Sequence, residues 1–200
     1  MDPVRFIGNF SSGKMGFALA EELALRGAEV YLVSGPVHLK TINPAIHRID
    51  VISAEEMNNQ CLSIFPKVDG AVMCAAVADY TPVSRADKKM KRGDGDLVVE
   101  LKPTPDIASG LGKLKKENQL LVGFALETNN ERENALGKLK KKNLDFIVLN
   151  SLNDPGAGFQ TDTNKITIID KHNNLCNFEL KSKQEVAVDI VDYLVDEMKL

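Results

Sequence analysis

Three short runs constrain this chain more than anything else in it: DGAVMCAAVADY (69–80), LLVGFALET (120–128) and DFIVLN (145–150). Each is apolar almost throughout rather than on alternate positions, as strands covered on both faces are. Helical spacing fills the intervals. KMGFALAEELALR (14–26) puts Gly16, Leu19, Ala20, Leu23 and Ala24 at i, i+3, i+4, i+7 and i+8, and Gly27 is placed to end that helix. SAEEMNNQCLSIF (53–65) opens with a Ser53-x-x-Glu56 capping box, and residues 105–116 and 130–142 carry further helical patterns. EVYLVSG (29–35) and HRIDV (47–51) read as two more strands. This alternation predicts an α/β chain with a Rossmann-like, doubly wound, mostly parallel sheet.

The tail breaks the pattern. NKITIID (164–170) and NFELK (177–181) predict a hairpin inside an appendage spanning 160–181, and Ser182-x-x-Glu185 caps a last helix carrying Val186, Ile190, Leu194 and Met198. The 200 residues suit one domain, 1–200. Such a sheet normally begins with a strand feeding the first glycine-rich turn. Only MDPV precedes Arg5, so that first strand is expected to be missing from the chain.

Bulk properties exclude several classes. A net charge of −3 with 26% charged residues argues against a nucleic-acid partner. No apolar run approaches the ~20 residues of a membrane helix, and the N-terminus lacks the apolar core of a signal peptide. Cys61, Cys74 and Cys176 are odd in number and widely spaced, which suits neither a disulfide framework nor a zinc site. His38, His47 and His172 are equally scattered. The expectation is a cytoplasmic protein with reduced thiols.

Ligands of open α/β sheets bind outside the carboxyl ends of the strands, and the unusual stretches fall there. RFIGNFSSGKMG (5–16) carries Asn9, Ser11, Ser12 and Gly13 into the first helix. Two readings stand: Ser11 or Ser12 caps that helix, or its free N–H groups and dipole hold a phosphate. AAVADY (75–80) follows an apolar strand with small Ala75 and Ala76 and then the carboxylate of Asp79. Core packing explains the alanines alone, but not the acid. RADKKMKRGDGDL (85–97) is either a solvated charge run or a basic flap, spanning 83–103, over an anionic substrate. Pro105 is placed in the first turn of a helix, Phe124 is an aromatic able to stack on a base, and Lys138 and Lys142 share a helical face. Neither a G-x-G-x-x-G nor a P-loop is present. Together these stretches describe a site for a nucleoside triphosphate and a second anion.

DPVRFIGNFSSGKMGFALAEELALRGAEVYLVSGP, CAAVADY, KKMKR, PTPDI, GFALETNN and KKKNLDFIVLN, in this order and spacing, resemble phosphopantothenoylcysteine synthetase over essentially the whole chain. The resemblance implies a ligase of coenzyme A biosynthesis. CTP, with Mg²⁺ carried mainly on its phosphates, activates 4′-phosphopantothenate as an acyl-cytidylate, and cysteine then displaces CMP. Asn9 matches the family's catalytic Asn, and Lys89 the flap lysine that contacts CTP phosphate. Arg92 stands where the family usually has a second lysine. Ser11, Ser12 and Gly13 are expected at the nucleotide, with Asp79, Pro105, Asp106, Ile107 and Ala108. Phe124, Lys138 and Lys142 are expected to complete the cytidine pocket, and Ala75 and Ala76 to contact phosphopantothenate. Arg5 matches an arginine that reaches the other subunit's active site, which implies a homodimer. No FMN is expected. A decarboxylase, fused or separate, is the implied partner, and in the family a strand and a Gly/Thr turn precede the DPVR segment.

Two other classes remain open on the residues alone. An NAD(P)-dependent oxidoreductase shares the sheet pattern but lacks the glycine fingerprint. A non-catalytic nucleotide- or nucleic-acid-binding domain would use the two lysine-rich stretches.

Overall fold

A computed structural model describes residues 1–127, 129–151 and 161–198. The elements are α1 (Lys14–Leu25), β1 (Val30–Ser34), β2 (Ile46–Asp50), α2 (Ala54–Ile64), β3 (Gly70–Met73), β4 (Tyr80–Pro82), β5 (Leu101–Pro103) and α3 (Ile107–Leu114). They continue as β6 (Leu120–Glu127), α4 (Glu131–Lys141), β7 (Phe146–Ser151), β8 (Thr163–Asn164), β9 (Ile166–Asp170), β10 (Leu175–Asn177), β11 (Lys181–Ser182) and α5 (Lys183–Met198).

The central sheet has the order β10-β9-β7-β6-β3, with β3, β6 and β7 parallel and β9 and β10 antiparallel. It is therefore mixed and mostly parallel, as the alternation implied. β1 and β2 form a separate parallel pair, and among the described residues no strand bonds β1 to β3.

Both faces of the central sheet are covered, which is why its strands read as apolar throughout. On one face α1 and α5 bury Leu19, Val186, Ala187 and Ile190 against Val122, Phe146, Val148, Ile166 and Ile168. On the other, α2, α3 and α4 bury Met57, Ile107, Leu111, Ala135 and Leu139 against Leu121, Ala125, Ile147 and Ile169. Each of the larger side chains contributes roughly 1.5–3 kcal/mol through its apolar area, the alanines less. Phe146 also meets Tyr193 edge-on, with ring centroids 5.0 Å apart.

The local signals behave unevenly. Ser53 caps α2 as expected, its side chain accepting from Glu56 N. Ser182 Oγ accepts from Glu185 N (3.2 Å) while Glu185 Oε2 accepts from Ser182 N (3.0 Å), a complete capping box. At α1 the expectation fails. The N-cap is Gly13 at φ 77°, with no side-chain cap, and Ser11 Oγ receives only a long 3.4 Å bond from Gly13 N. Glycine takes a left-handed backbone most freely, and here it, not a serine, sits at the cap.

Three further boundaries move. The run 69–80 is not one strand: β3 ends at Met73, Ala75–Asp79 leave the sheet, and Tyr80 begins β4. Pro105 is not in the first turn of α3. It precedes Asp106, the N-cap, whose carboxylate accepts from Ser109 N (3.1 Å). The second arm of the expected hairpin starts earlier than NFELK, at Leu175, which pairs with Ile169, while Asn177 pairs with Thr167, Phe178 N donates to Ile166 O (3.0 Å) and Lys181 pairs with Asn164. Residue 160, the first of the expected appendage, lies outside the described residues, as does Thr128 at the end of LLVGFALET.

Candidate functional site

The site assembles at the carboxyl end of β3, where the chain leaves the sheet. Gly16 lets the first turn of α1 lie close to that end: a Cβ there would stand 3.1 Å from Cys74 Sγ. This brings the segment before α1 beside Ala75–Asp79. Asn9 Nδ2 donates to the carbonyl oxygens of Ala76 (3.1 Å) and Val77 (3.2 Å). One amide thus fastens the α1 approach to the β3 exit.

A second fastening joins that exit to α3. Thr104 Oγ1 donates to Ala78 O (2.7 Å), and Thr104 N donates to Asp79 O (2.9 Å). Thr104 stands directly before Pro105–Ala108, so this strip is held against Ala75–Asp79 from one side while Asn9 holds it from the other. Ala75 and the Asp79 carboxylate are exposed. Asp106 both caps α3 and accepts from Lys142 Nζ at 3.1 Å. Burial pushes the Asp106 carboxyl up, but the bonds from Ser109 and Lys142 outweigh it and hold it below the usual carboxylate range.

The basic flap is carried by a short antiparallel ribbon. β4 pairs with β5, Tyr80 opposite Pro103 and Pro82 opposite Leu101, and Val83 N extends the ladder to Glu100 O (3.0 Å). Residues 84–99 loop out beyond it. Lys88, Lys89, Lys91 and Arg92 are exposed there, and none of the four forms an ion pair among the described residues. Four unspent cations in five residues suit a polyanion.

Most of the sequence-predicted residues meet: Asn9, Ser11, Ser12, Gly13, Ala75, Ala76, Asp79 and Pro105–Ala108 share one end of β3. Three others make contacts elsewhere in the chain. The Phe124 ring packs on the α1–α5 face, whereas Lys138 lies in α4, on the other face, and Lys142 caps that helix. Because side chains alternate along a strand, the partly buried ring and those lysines start from opposite faces of the sheet. Lys142 pairs with Asp106, itself one of the expected nucleotide residues. Arg5 is held within its own chain, Nη2 donating to Asp2 Oδ2 (2.6 Å) and to Met90 O (2.5 Å). Sequence reasoning missed Thr104 and Asp2. Thr104 left no signal, but Asp2-Pro3 is an Asx-turn pattern, and Asp2 Oδ1 does accept from Val4 N and Arg5 N, both at 2.8 Å.

Among the described residues no three His, Cys, Asp or Glu side chains are grouped as a metal site. None of their helices is long and apolar enough to cross a membrane.

Comparison with known proteins narrows what this geometry serves. A family profile described as "DNA/pantothenate metabolism flavoprotein C-terminal domain" matches residues 1–198. A prokaryotic protein of unknown organism, named cysteine/cysteine sulfinic acid decarboxylase, is 61% identical over 191 residues, 96% of this chain and 53% of that one. The coenzyme A biosynthesis bifunctional protein CoaBC of Bacillus subtilis (strain 168) is 46% identical over 191 residues, 96% of this chain and 47% of that one. The chain therefore spans about half the length of the curated relatives it matches. The crystal structure of the C-terminal domain of a CoaBC superposes with a TM-score of 0.83 at 39% identity, covering 99% of this chain and 89% of that one.

Proposed function

The chain belongs to the DNA/pantothenate metabolism flavoprotein C-terminal domain family, and on that footing we propose that it forms the amide between 4′-phosphopantothenate and cysteine in coenzyme A biosynthesis. CTP is the activating nucleotide. A carboxylate oxygen of phosphopantothenate attacks the α-phosphorus and the bond to the β-phosphate breaks, giving an acyl-cytidylate and pyrophosphate. The cysteine amine then attacks the acyl carbon. A C–N bond forms, the C–O bond to CMP breaks, and the nitrogen loses a proton.

The observation that carries this reading is the Asn9 amide bridging to Ala76 and Val77 beside the α1 N-terminus and the cationic flap. On substrate binding one of these N–H groups would turn from its carbonyl to donate to an oxyanion in the transition state, and one such donor is commonly worth about 10²–10³ in rate. Lys89 on the flap would offset triphosphate charge. Ser11, Ser12 and Gly13 at α1, and Asp79 with Pro105–Ala108 at α3, would seat the nucleotide, with Lys138 nearby on α4. Ala75 and Ala76 would offer main-chain groups to phosphopantothenate. Mg²⁺ fits as an ion borne by the phosphates, since hard cations of this kind keep phosphate and water oxygens and need few carboxylates. A homodimer in the cytoplasm, in a protein whose other part is a decarboxylase, completes the proposal.

The experiment is pyrophosphate release from CTP and Mg²⁺ with 4′-phosphopantothenate, with and without cysteine, and with ATP in parallel. Release that requires phosphopantothenate and favours CTP supports the reading. No release from the chain or from the full-length protein sinks it.

One observation favours a second reading, namely the 61% identical relative named as a cysteine/cysteine sulfinic acid decarboxylase. On that reading the chain is the companion domain of a protein that removes carboxyl groups from free cysteine derivatives. Loss of CO₂ from cysteine by the full-length protein, without any CTP-dependent pyrophosphate, would establish it in place of the first.

A further inference from the structure

The Asp2 side chain has 0% exposure. Its two oxygens do different work. Oδ1 closes the local turn through Val4 N and Arg5 N. Oδ2 accepts from Arg5 Nε (2.9 Å), Arg5 Nη2 (2.6 Å) and Met90 N (3.1 Å). Arg5 Nη2 returns to Met90 O, and Met1 O accepts from Ala86 N (3.0 Å). A cleft of about 200 Å³ lies alongside, between Met1 and the flap residues Arg85, Met90, Leu97 and Val98. Met90 stands between Lys89 and Lys91. Four residues beyond Arg5 stands Asn9, itself bonded to Ala76 and Val77. A single short segment is therefore tied at one end to the flap and at the other to the exit of β3.

We infer that Asp2 is a positioning residue whose carboxylate sets the register of the basic flap, and with it Lys89, against the segment that carries Asn9. The inference rests on the proposed synthetase reaction for its catalytic meaning, though the latch itself does not. Burial pushes the Asp2 carboxyl up. The bonds from Val4, Arg5 and Met90 outweigh that and hold it well below the usual carboxylate range, so the latch stays charged at neutral pH.

Asp2→Asn separates the two jobs. One amide oxygen can serve the turn, but the NH₂ then faces the donors of Arg5 and Met90. Flap opening is read by tryptic cleavage at Lys88–Arg92 and by amide exchange over 84–99, with thermal unfolding as control and CTP kinetics alongside. The variant should be cut about tenfold faster in the flap, since charged hydrogen bonds of this kind carry at least that factor, with its unfolding temperature kept. Its KM for CTP should rise several-fold more than its kcat falls, a split that a purely structural turn would not produce. If Asp2→Asn does not fold, Arg5→Lys keeps the charge and Asp2 but loses the fork onto Met90, and should open the flap likewise.

Unchanged cleavage and exchange in a folded variant would overturn the latch. An opened flap together with no pyrophosphate from either protein would sink the synthetase reading and leave the latch standing. An opened flap with CTP kinetics unchanged in an active enzyme would overturn the positioning role.

Discussion

The two ends of the parallel strands are both rich in charge, and they use it in opposite ways. At the amino end, Asp145 is 5% exposed and accepts from Leu121 N (2.8 Å), Lys115 Nζ (2.9 Å) and Lys171 Nζ (3.3 Å). A cleft of about 440 Å³ opens there, lined by Lys115, Lys116, Lys140 and Lys171, but its cations are largely committed: Lys116 donates to Pro66 O (3.2 Å). At the carboxyl end, Asp79 and the cations of the flap are exposed and form no ion pair among the described residues. The size of a cleft therefore says less about function than whether its charges already have partners. Satisfied charge holds the sheet; unsatisfied charge waits for a ligand.

The sharpest way to break that contrast is Asp145→Ala. It strips the acceptor from a buried lysine and from Leu121 N, and urea unfolding should show a loss of about 3–5 kcal/mol, with the CTP KM unmoved. A loss under about 1 kcal/mol would mean the amino end is not scaffold. Asn9→Ala should do the converse. The rate of the cysteine-dependent step should drop about 10²–10³-fold in single-turnover measurements, and stability should hold, because Asn9 is exposed. If the rate stays and the urea midpoint falls, the carboxyl end is structural.

Lys89→Gln should raise the KM for CTP about tenfold and flatten its salt dependence, while Lys116→Gln, at the other end, should change neither. Equal effects would erase the distinction. The smallest effect concerns Cys74, whose thiol burial pushes from 9.0 up to about 11. The folded state keeps a proton that the unfolded chain releases, so stability should be level below about pH 8.5 and decline as pH rises toward 11. Alkylation of Cys74 at pH 8 should lag behind that of a free thiol. Rapid labelling there would show the exit of β3 to be open rather than packed under α1.

The sequence by itself determined the sheet and its helices, because strand burial and capping are written within a few residues. Apolar runs marked β3, β6 and β7; Ser53 and Ser182 marked two helix starts; basic residues between small ones marked the flap. What it left undecided spans the chain. Whether Phe124 or Gly123 faces α4 depends on which helices cover which side, and a period of two is silent about that. Gly13 rather than a serine caps α1 because of a backbone angle, φ 77°. Lys142 reaches Asp106 across 36 residues, and Asp2 reaches Met90 across 88. Such pairings exist only once the sheet has brought distant segments together, so only the tertiary structure could decide which charges hold the fold and which stay open at the site.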